Sequence, residues 1–321
     1  MSVDCVVSVR TQQTVTMALL GLANLVKRNV DPLLKDTLIK TPMKISLPLW
    51  TPHNPNDHDH GSKAVEERML AGSKDHIQVG MAANLRDFVV TNYEGQEVKG
   101  SEVCTYDGIP VAYALSPIET INYVSAHDNE TLFDIVSLKG IPFFHSGDEI
   151  LRSKSLDRDS YNSGDWFNRI KPRLADPSFK PQSSHILAAV ENFLNVLQIR
   201  YSSPLFRLRT ANAIQQRVRF HNTGPSWVPG VIVMSIEDGH EGVPGLSQLD
   251  PIYSYIVVIV NVCPTAVSFA NPALRARTFE LHPIQAMSTD EFVKNSMYEA
   301  LTGSFTVPSR TTAVFVEPRN I

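Results

Sequence analysis

The stretch Val124-Ser125-Ala126-His127-Asp128-Asn129-Glu130-Thr131 gathers the side chains best suited to chemistry in this sequence. An apolar run, Ile121 to Ala126, ends and at once presents an imidazole, a carboxylate and an amide. In parallel barrels the functional groups sit at the C-terminal ends of strands, on the loops into the next helix. A His127–Asp128 pair at such a position can touch a ligand. A plainer role also fits: Asn129 and Thr131 can cap the following helix, leaving His127 and Asp128 as ordinary loop residues. The residues by themselves leave both readings open.

A second polar cluster, Asp57-His58-Asp59-His60, has ligand chemistry without ligand spacing. Neighbouring residues of extended chain point apart, whereas a tetrahedral metal needs donors that converge. A solvated loop from Leu47 to Gly61 is therefore expected, with no metal. The three cysteines, Cys5, Cys104 and Cys263, are far apart and form no CxxC pair. A disulfide framework and a cysteine zinc site are not expected, and reduced thiols in a reducing compartment are.

The elements that must position these groups fall into two grammars. Residues 75–200 alternate short apolar runs with polar loops and helices. Strands are expected at Ile77–Gly80, after a short helix, and at Ile121–Ala126 and Ile141–Phe144. Runs that are apolar on both faces suit a parallel sheet covered by helices. A helix is expected from Ser184 to Tyr201, with Ile186, Val190, Phe193, Leu194 and Leu197 on its apolar face. Ser183 or Ser184 is the expected cap, and Pro204 follows its end. From about Leu205, β-rich runs recur between turn residues: Gly230–Ile236, Tyr253–Val262, Thr278–Leu281 and Thr311–Val316. A helical stretch near Asp290–Ala300 is the one interruption. This pattern suggests an antiparallel β-sandwich, with Tyr253–Val262 as its central, fully buried strand. Before residue 70 the pattern is weak, with a helical periodicity from Val15 to Arg28.

The chain's 321 residues, 43% hydrophobic and 19% charged, suit a globular protein of about two domains. A net charge of −4 argues against a general nucleic-acid binder, which carries a clustered basic surface. It is compatible with a neutral polar ligand such as a sugar. The apolar run Thr16–Val26 is too short to cross a bilayer. The first thirty residues hold a single acid, Asp4, which is weakly transit-peptide-like.

The wider strings carry a resemblance. INYVSAHDNETLFDIVSLK is similar to the seventh-strand motif of the glycoside hydrolases that include α-amylases. SGDEILRSKSLDRDSYNSGDWFN, from Ser146 to Asn168, resembles the segment after the eighth strand of pullulanases and plant limit dextrinases. QVGMAANLRDF and RYSSPLFRL are similar to the same starch-debranching subgroup, and the likeness runs over nearly all of residues 55–321. It implies an α/β plus all-β chain: an incomplete (β/α)8 barrel followed by a C-terminal antiparallel β-sandwich. The implied parts are an atypical segment 1–70, a partial barrel 71–204 and a sandwich 205–321. The implied activity is hydrolysis of α-1,6-glucosidic branch linkages in starch, pullulan and limit dextrin. Asp128 would be the transition-state stabiliser, and His127 would bond hydroxyls of the same sugar. Asp159, Tyr161, Asn162 and Trp166 would line the substrate cleft, with Tyr161 and Trp166 as stacking platforms or, equally, as rings packed under a long loop. No cofactor is implied. The expected partner is an α-glucan, with neither nucleic acid nor membrane, and the expected compartment is the plastid, otherwise the cytoplasm.

The sequence also departs from that family. A retaining glycosidase needs a nucleophile and an acid/base carboxylate about 5–5.5 Å apart. The family's nucleophile string, of Gly-Phe-Arg-Phe-Asp type, and its Glu-Gly-Trp-like acid/base string both fail to occur in the 321 residues. Lys139 runs directly into Gly140, and Ile170 into Lys171, where the family carries longer segments. The expectation is a polypeptide that does not debranch glucan alone, with a non-catalytic glucan-binding or regulatory role as the alternative.

Overall fold

The computed structural model describes residues 63–105, 108–119, 147, 150–154, 160–169, 181–242 and 244–319. The expected strands Ile121–Ala126 and Ile141–Phe144, the helical pattern Val15–Arg28 and the Asp57–His60 loop lie outside the described residues.

The chain's core is a five-stranded antiparallel sheet in the order β3-β4-β5-β10-β7. Its strands are β3 (Val218–Phe220), β4 (Val231–Glu237), β5 (Tyr253–Asn261), β7 (Glu280–Leu281) and β10 (Thr311–Pro318). β5 is central and buried at all nine positions. A strand side chain alternates between faces, so complete burial requires cover on both. One face carries Val231, Val233, Tyr255, Val257, Ile259, Ala313 and Phe315 into a core with Phe305, Val307, Val267, Phe269 and Tyr298. Those partners belong to a three-stranded antiparallel sheet of β6 (Val267–Ala270), β9 (Ser304–Val307) and β8 (Met297–Glu299). Phe279, Phe305, Phe315 and Tyr298 pack ring on ring at centroid distances of 4.7–5.5 Å. That spacing is in the favourable range for aromatic pairs.

The opposite face carries Ile232, Met234, Ile236, Ile256, Val258, Val260, Val314 and Val316. It packs on residues far upstream in the chain, among them Val79, Met81, Leu85, Phe88, Ile199 and Phe206. These come from α1 (Lys63–Met81), the stretch that joins it to the hairpin β1–β2 (Val89–Thr91, Glu97–Lys99), the end of α3 (Ser183–Ser202) and the 3₁₀ turn Pro204–Arg207 after it, with α2 (Asp165–Asn168) preceding α3 in sequence. A short helix, α4 (Ala211–Arg217), leads into β3 with Thr210 accepting from the Ala213 N–H as its cap.

Four local expectations need correcting. Ile77–Gly80 is not a strand: α1 runs through it to Met81. Its buried positions Ala71, Lys74, Asp75, Gln78 and Val79 follow the i, i+3, i+4, i+7 spacing of one helix face, and that tertiary contact decides the conformation. In α3 the buried stripe is Ala189, Val196, Ile199 and Arg200, while Leu187 and Leu194 are exposed. Of the expected apolar set, Leu194 is exposed, and Ile186, Val190, Phe193 and Leu197 are half-buried beside that stripe. Gln182, not a serine, is the N-cap, its N–H donating to His185 Nδ1 at 3.4 Å. Between Asp290 and Ala300 helix survives for one turn, α6 (Glu291–Lys294), after which β8 joins the smaller sheet. The preceding one-turn helix, α5 (Pro283–Ala286), is capped by His282.

Buried charges knot the far end of this body. Asp238 accepts from the Leu249 and Asp250 N–H groups at 2.8–3.0 Å and from Arg319 at 2.8 Å, with Arg217 3.6 Å away. Asp250 in turn accepts from Ser203 Oγ and from the N–H of Ile252. Burial of these charges is tolerable because Asp238 is ion-paired and both carboxylates are hydrogen-bonded.

Candidate functional site

The described part of the expected cleft is the segment Ser160–Arg169. A single 3₁₀ turn, Ser160–Asn162, is followed by Gly164 and the one-turn helix α2. Asn168 closes the segment on itself. Its Nδ2 donates to the Ser160 carbonyl at 2.8 Å, and its Oδ1 accepts from Ser160 Oγ at 2.9 Å. One amide side chain therefore holds both ends of a nine-residue loop.

A second support comes from Arg152. Its Nη2 donates to the Asn168 carbonyl at 3.0 Å and its Nε to the Arg169 carbonyl at 3.3 Å. The guanidinium fork is rigid and presents parallel donors, so it fixes the exit of the loop. Arg152 is 4% exposed. It follows a tight turn in which the N–H groups of Ile150 and Arg152 both bond the Gly147 carbonyl. Gly147 adopts φ 103° and Leu151 φ 57°. A left-handed leucine costs roughly 1–2 kcal/mol, and Leu151 is fully buried, which offsets that cost and aims Arg152 under the loop.

What this frame presents is aromatic. The Tyr161 ring is 88% exposed and Trp166 is 41% exposed. Trp166 is backed edge-on by Phe167, with centroids 4.9 Å apart and planes at 85°. Asn162 is exposed beside Tyr161. An exposed ring on a clamped loop offers a flat apolar face with polar neighbours, a surface that suits the apolar face of a pyranose. His127, Asp128 and Asp159, the remaining expected site residues, lie outside the described residues. Arg152 and Asn168 were not singled out from sequence. The signal that could have found them is an amide eight residues after a serine, bracketing Tyr161 and Trp166.

A separate groove of about 250 Å³ lies between β1 and β3, lined by Phe88, Val90, Thr91, Glu97, Gln215 and Phe220 among others. Glu97 is the one carboxylate in that lining, so the groove has no acid–base pair. Arg219, at its rim, spends its donors on the carbonyls of Gln215, Gln216 and Val218.

Elsewhere, burial sets the protonation of two histidines. His221 is pushed down to about 4 by burial and by nearby Arg219. It is bonded to Ser235 at 2.7 Å and to Asn271 at 2.9 Å. His282 is pushed down to about 4 by burial. The His221–Ser235 contact resembles a nucleophile–base pair, but Ser235 is fully buried between the sheets and also accepts from Tyr255. It is a core hydrogen-bond chain that no substrate can reach. Among the described residues no group of three or more His, Cys, Asp or Glu side chains could hold a metal ion, and no helix is long and apolar enough to cross a membrane.

Comparison with known proteins bears on this geometry. Residues 156–318 match the family described as alpha-1,6-glucosidases, pullulanase-type, C-terminal. The chloroplastic pullulanase 1 of Arabidopsis thaliana is 61% identical over 317 aligned residues, covering 83% of this chain and 33% of that protein. A Klebsiella pneumoniae pullulanase is 33% identical over 296 residues, covering 76% of this chain and 26% of its own length. The crystal structure of the maltotriose complex of PulA from Klebsiella pneumoniae superposes with a TM-score of 0.72 at 30% identity, covering 86% of this chain and 34% of that one. The chain thus spans a third or less of the curated relatives named here.

Proposed function

This chain belongs to the pullulanase-type α-1,6-glucosidases through their C-terminal family, and from that premise we propose that it supplies the C-terminal portion of a starch-debranching enzyme. The substrate class is branched α-glucan: starch, limit dextrin and pullulan. The proposed organisation is a segment 1–70, a partial (β/α)8 barrel 71–204 and a β-sandwich 205–321, the last built on the two packed sheets. On this reading Asp128 stabilises positive charge at the sugar being cleaved, and His127 bonds that sugar's hydroxyls. Asp159 and Asn162 bond further hydroxyls, and the Tyr161 and Trp166 rings stack on neighbouring glucose units. The observation that carries the reading is the SYNSGDWFN segment within the family match, folded as a clamped loop with Tyr161 88% exposed. The chloroplastic location of the Arabidopsis relative supports a plastid location for this one.

Branch hydrolysis by the retaining route requires a carboxylate nucleophile and a carboxylic acid facing it. The family's strings for both fail to occur in these 321 residues. On this reading the polypeptide alone does not cleave glucan, and Asp128 plays its part only where both carboxylates are supplied. A role as a non-catalytic glucan-binding chain is favoured by the same Tyr161 exposure. Two assays on the purified chain test this pair of statements: calorimetric titration with maltotriose, and release of reducing ends from pullulan. Heat of binding without reducing ends is expected. Reducing ends released above a buffer control would refute the inactivity. Absence of binding heat would refute the glucan surface.

A further inference from the structure

We infer that Arg152 and Asn168 are positioning residues for the glucan platform, holding the Tyr161 and Trp166 rings at a fixed height and tilt. The inference rests on the glucan reading above and names two residues that it does not use. Arg152 is buried, and Asn168, though exposed, spends its polar atoms on the loop itself. Asn168 spends its amide on the carbonyl and hydroxyl of Ser160, and Arg152 spends two donors on the carbonyls of Asn168 and Arg169.

Ser160–Arg169 has one 3₁₀ turn and one helical turn of its own. Helical segments that short are not stable by themselves. Left unclamped, the loop would present Tyr161 in many orientations, and a sugar would have to select one of them. Ordering groups at an interface costs free energy, and preorganisation removes that cost before the ligand arrives. The clamp has the right form for this purpose. It ties the loop's first residue to its ninth, which fixes the span, and Arg152, itself buried beside Leu151, then holds the ninth and tenth. Both rings lie inside the clamped span, Tyr161 next to its first residue and Trp166 two before its last. The pairing is chemically specific. A carboxylate at 168 would lose the Nδ2 donor to the Ser160 carbonyl, and a lysine at 152 would keep the charge but lose the paired donors of the guanidinium.

The experiment is a double-mutant cycle on the full 321-residue chain, with maltotriose as the probe and calorimetry as the readout. The variants are Tyr161→Ala, Asn168→Asp, Arg152→Lys, and each clamp variant combined with Tyr161→Ala. Ser160→Ala, which removes only the hydroxyl donor to Asn168, serves as the mild second variant should Asn168→Asp fail to fold. Thermal melting of each variant checks that the sheets are intact. Asn168→Asp and Arg152→Lys are expected to weaken binding about fivefold, the loss of one hydrogen bond's worth of order. In the Tyr161→Ala background the same changes should weaken binding less, acting through Trp166 alone, because residues acting through one element are non-additive. A clamp variant that still weakens binding fully when Tyr161 is gone acts elsewhere and overturns the inference. So does a clamp variant that binds like wild type while Tyr161→Ala does not. Wild-type chain that fails to bind, or Tyr161→Ala that binds unchanged, overturns the glucan reading and the inference together.

Discussion

Replacing His282 by asparagine should flatten the pH dependence of this chain's stability. The imidazole is 1% exposed and caps α5: its Nδ1 accepts from the Ile284 N–H at 3.3 Å. Its Nε2 lies 2.9 Å from Ser202 Oγ, whose own proton goes to the Ile199 carbonyl at 2.7 Å. The neutral ring must therefore carry its proton on Nε2. A second proton would fall on Nδ1, against the N–H it now accepts. Burial holds the group at about 4 in the folded chain, against 6.5 for the free side chain. The unfolded chain binds the extra proton first, so stability is present above 6.5 and is lost as pH falls toward 4. Linkage between those values gives a loss of about 2 kcal/mol between pH 7 and pH 5, and about 3 kcal/mol by pH 4. Asparagine keeps a cap acceptor and cannot titrate. Urea unfolding of wild type and His282→Asn at pH 7 and pH 5 isolates the group, since the contribution of His221, which has the same sign, cancels in the comparison. The variant should lose about 2 kcal/mol less than wild type over that interval. Equal losses in the two proteins would show that His282 does not titrate as its surroundings require.

Other positions give equally definite outcomes. The Gln78 amide is fully buried, and neither of its polar atoms has a hydrogen-bond partner among the described residues; Gln78→Leu should raise unfolding stability by about 1 kcal/mol, and a loss would mean the amide is satisfied. Arg319→Met would strip Asp238, itself fully buried, of its 2.8 Å partner and should cost about 3–5 kcal/mol in chemical denaturation; a change under 1 kcal/mol would mean that Arg217 alone suffices. At Gly239 an added methyl would occupy the space of the Leu246 carbonyl. Gly239→Ala should therefore lower the melting temperature steeply, as the large losses tied to backbone overlap do, and a normal melting point would mean that the 240–247 loop has room to move.

Legibility in the sequence followed how much of each element's fate is local. Tyr253–Val262 reads as a central strand because every position is apolar, and the structure covers both of its faces. The run at 231 lies between Gly230 and Gly239, and the run at 311 follows Pro308 and ends at Pro318, so turn residues mark both. Ile77–Gly80 was not readable. Its short apolar run is compatible with strand or helix, and the contact that decides it, Val79 with the large sheet, is more than a hundred residues away in sequence. α3 carries two overlapping apolar stripes, and nothing local says which one is buried more deeply. The aromatic positions of the candidate site, Tyr161 and Trp166, came from resemblance. The clamp of Arg152 and Asn168 was invisible because its targets are backbone carbonyls, which every residue has.

The central claim is that these 321 residues hold α-glucan on the Tyr161–Trp166 platform and do not cut it. Native electrophoresis through a gel containing pullulan, followed by staining the polysaccharide, reads both halves at once. The account predicts that the wild-type chain is retarded relative to a gel without pullulan, that Tyr161→Ala regains free mobility, and that neither leaves a cleared zone. A wild-type chain that runs unretarded, or that leaves a cleared band, would contradict it.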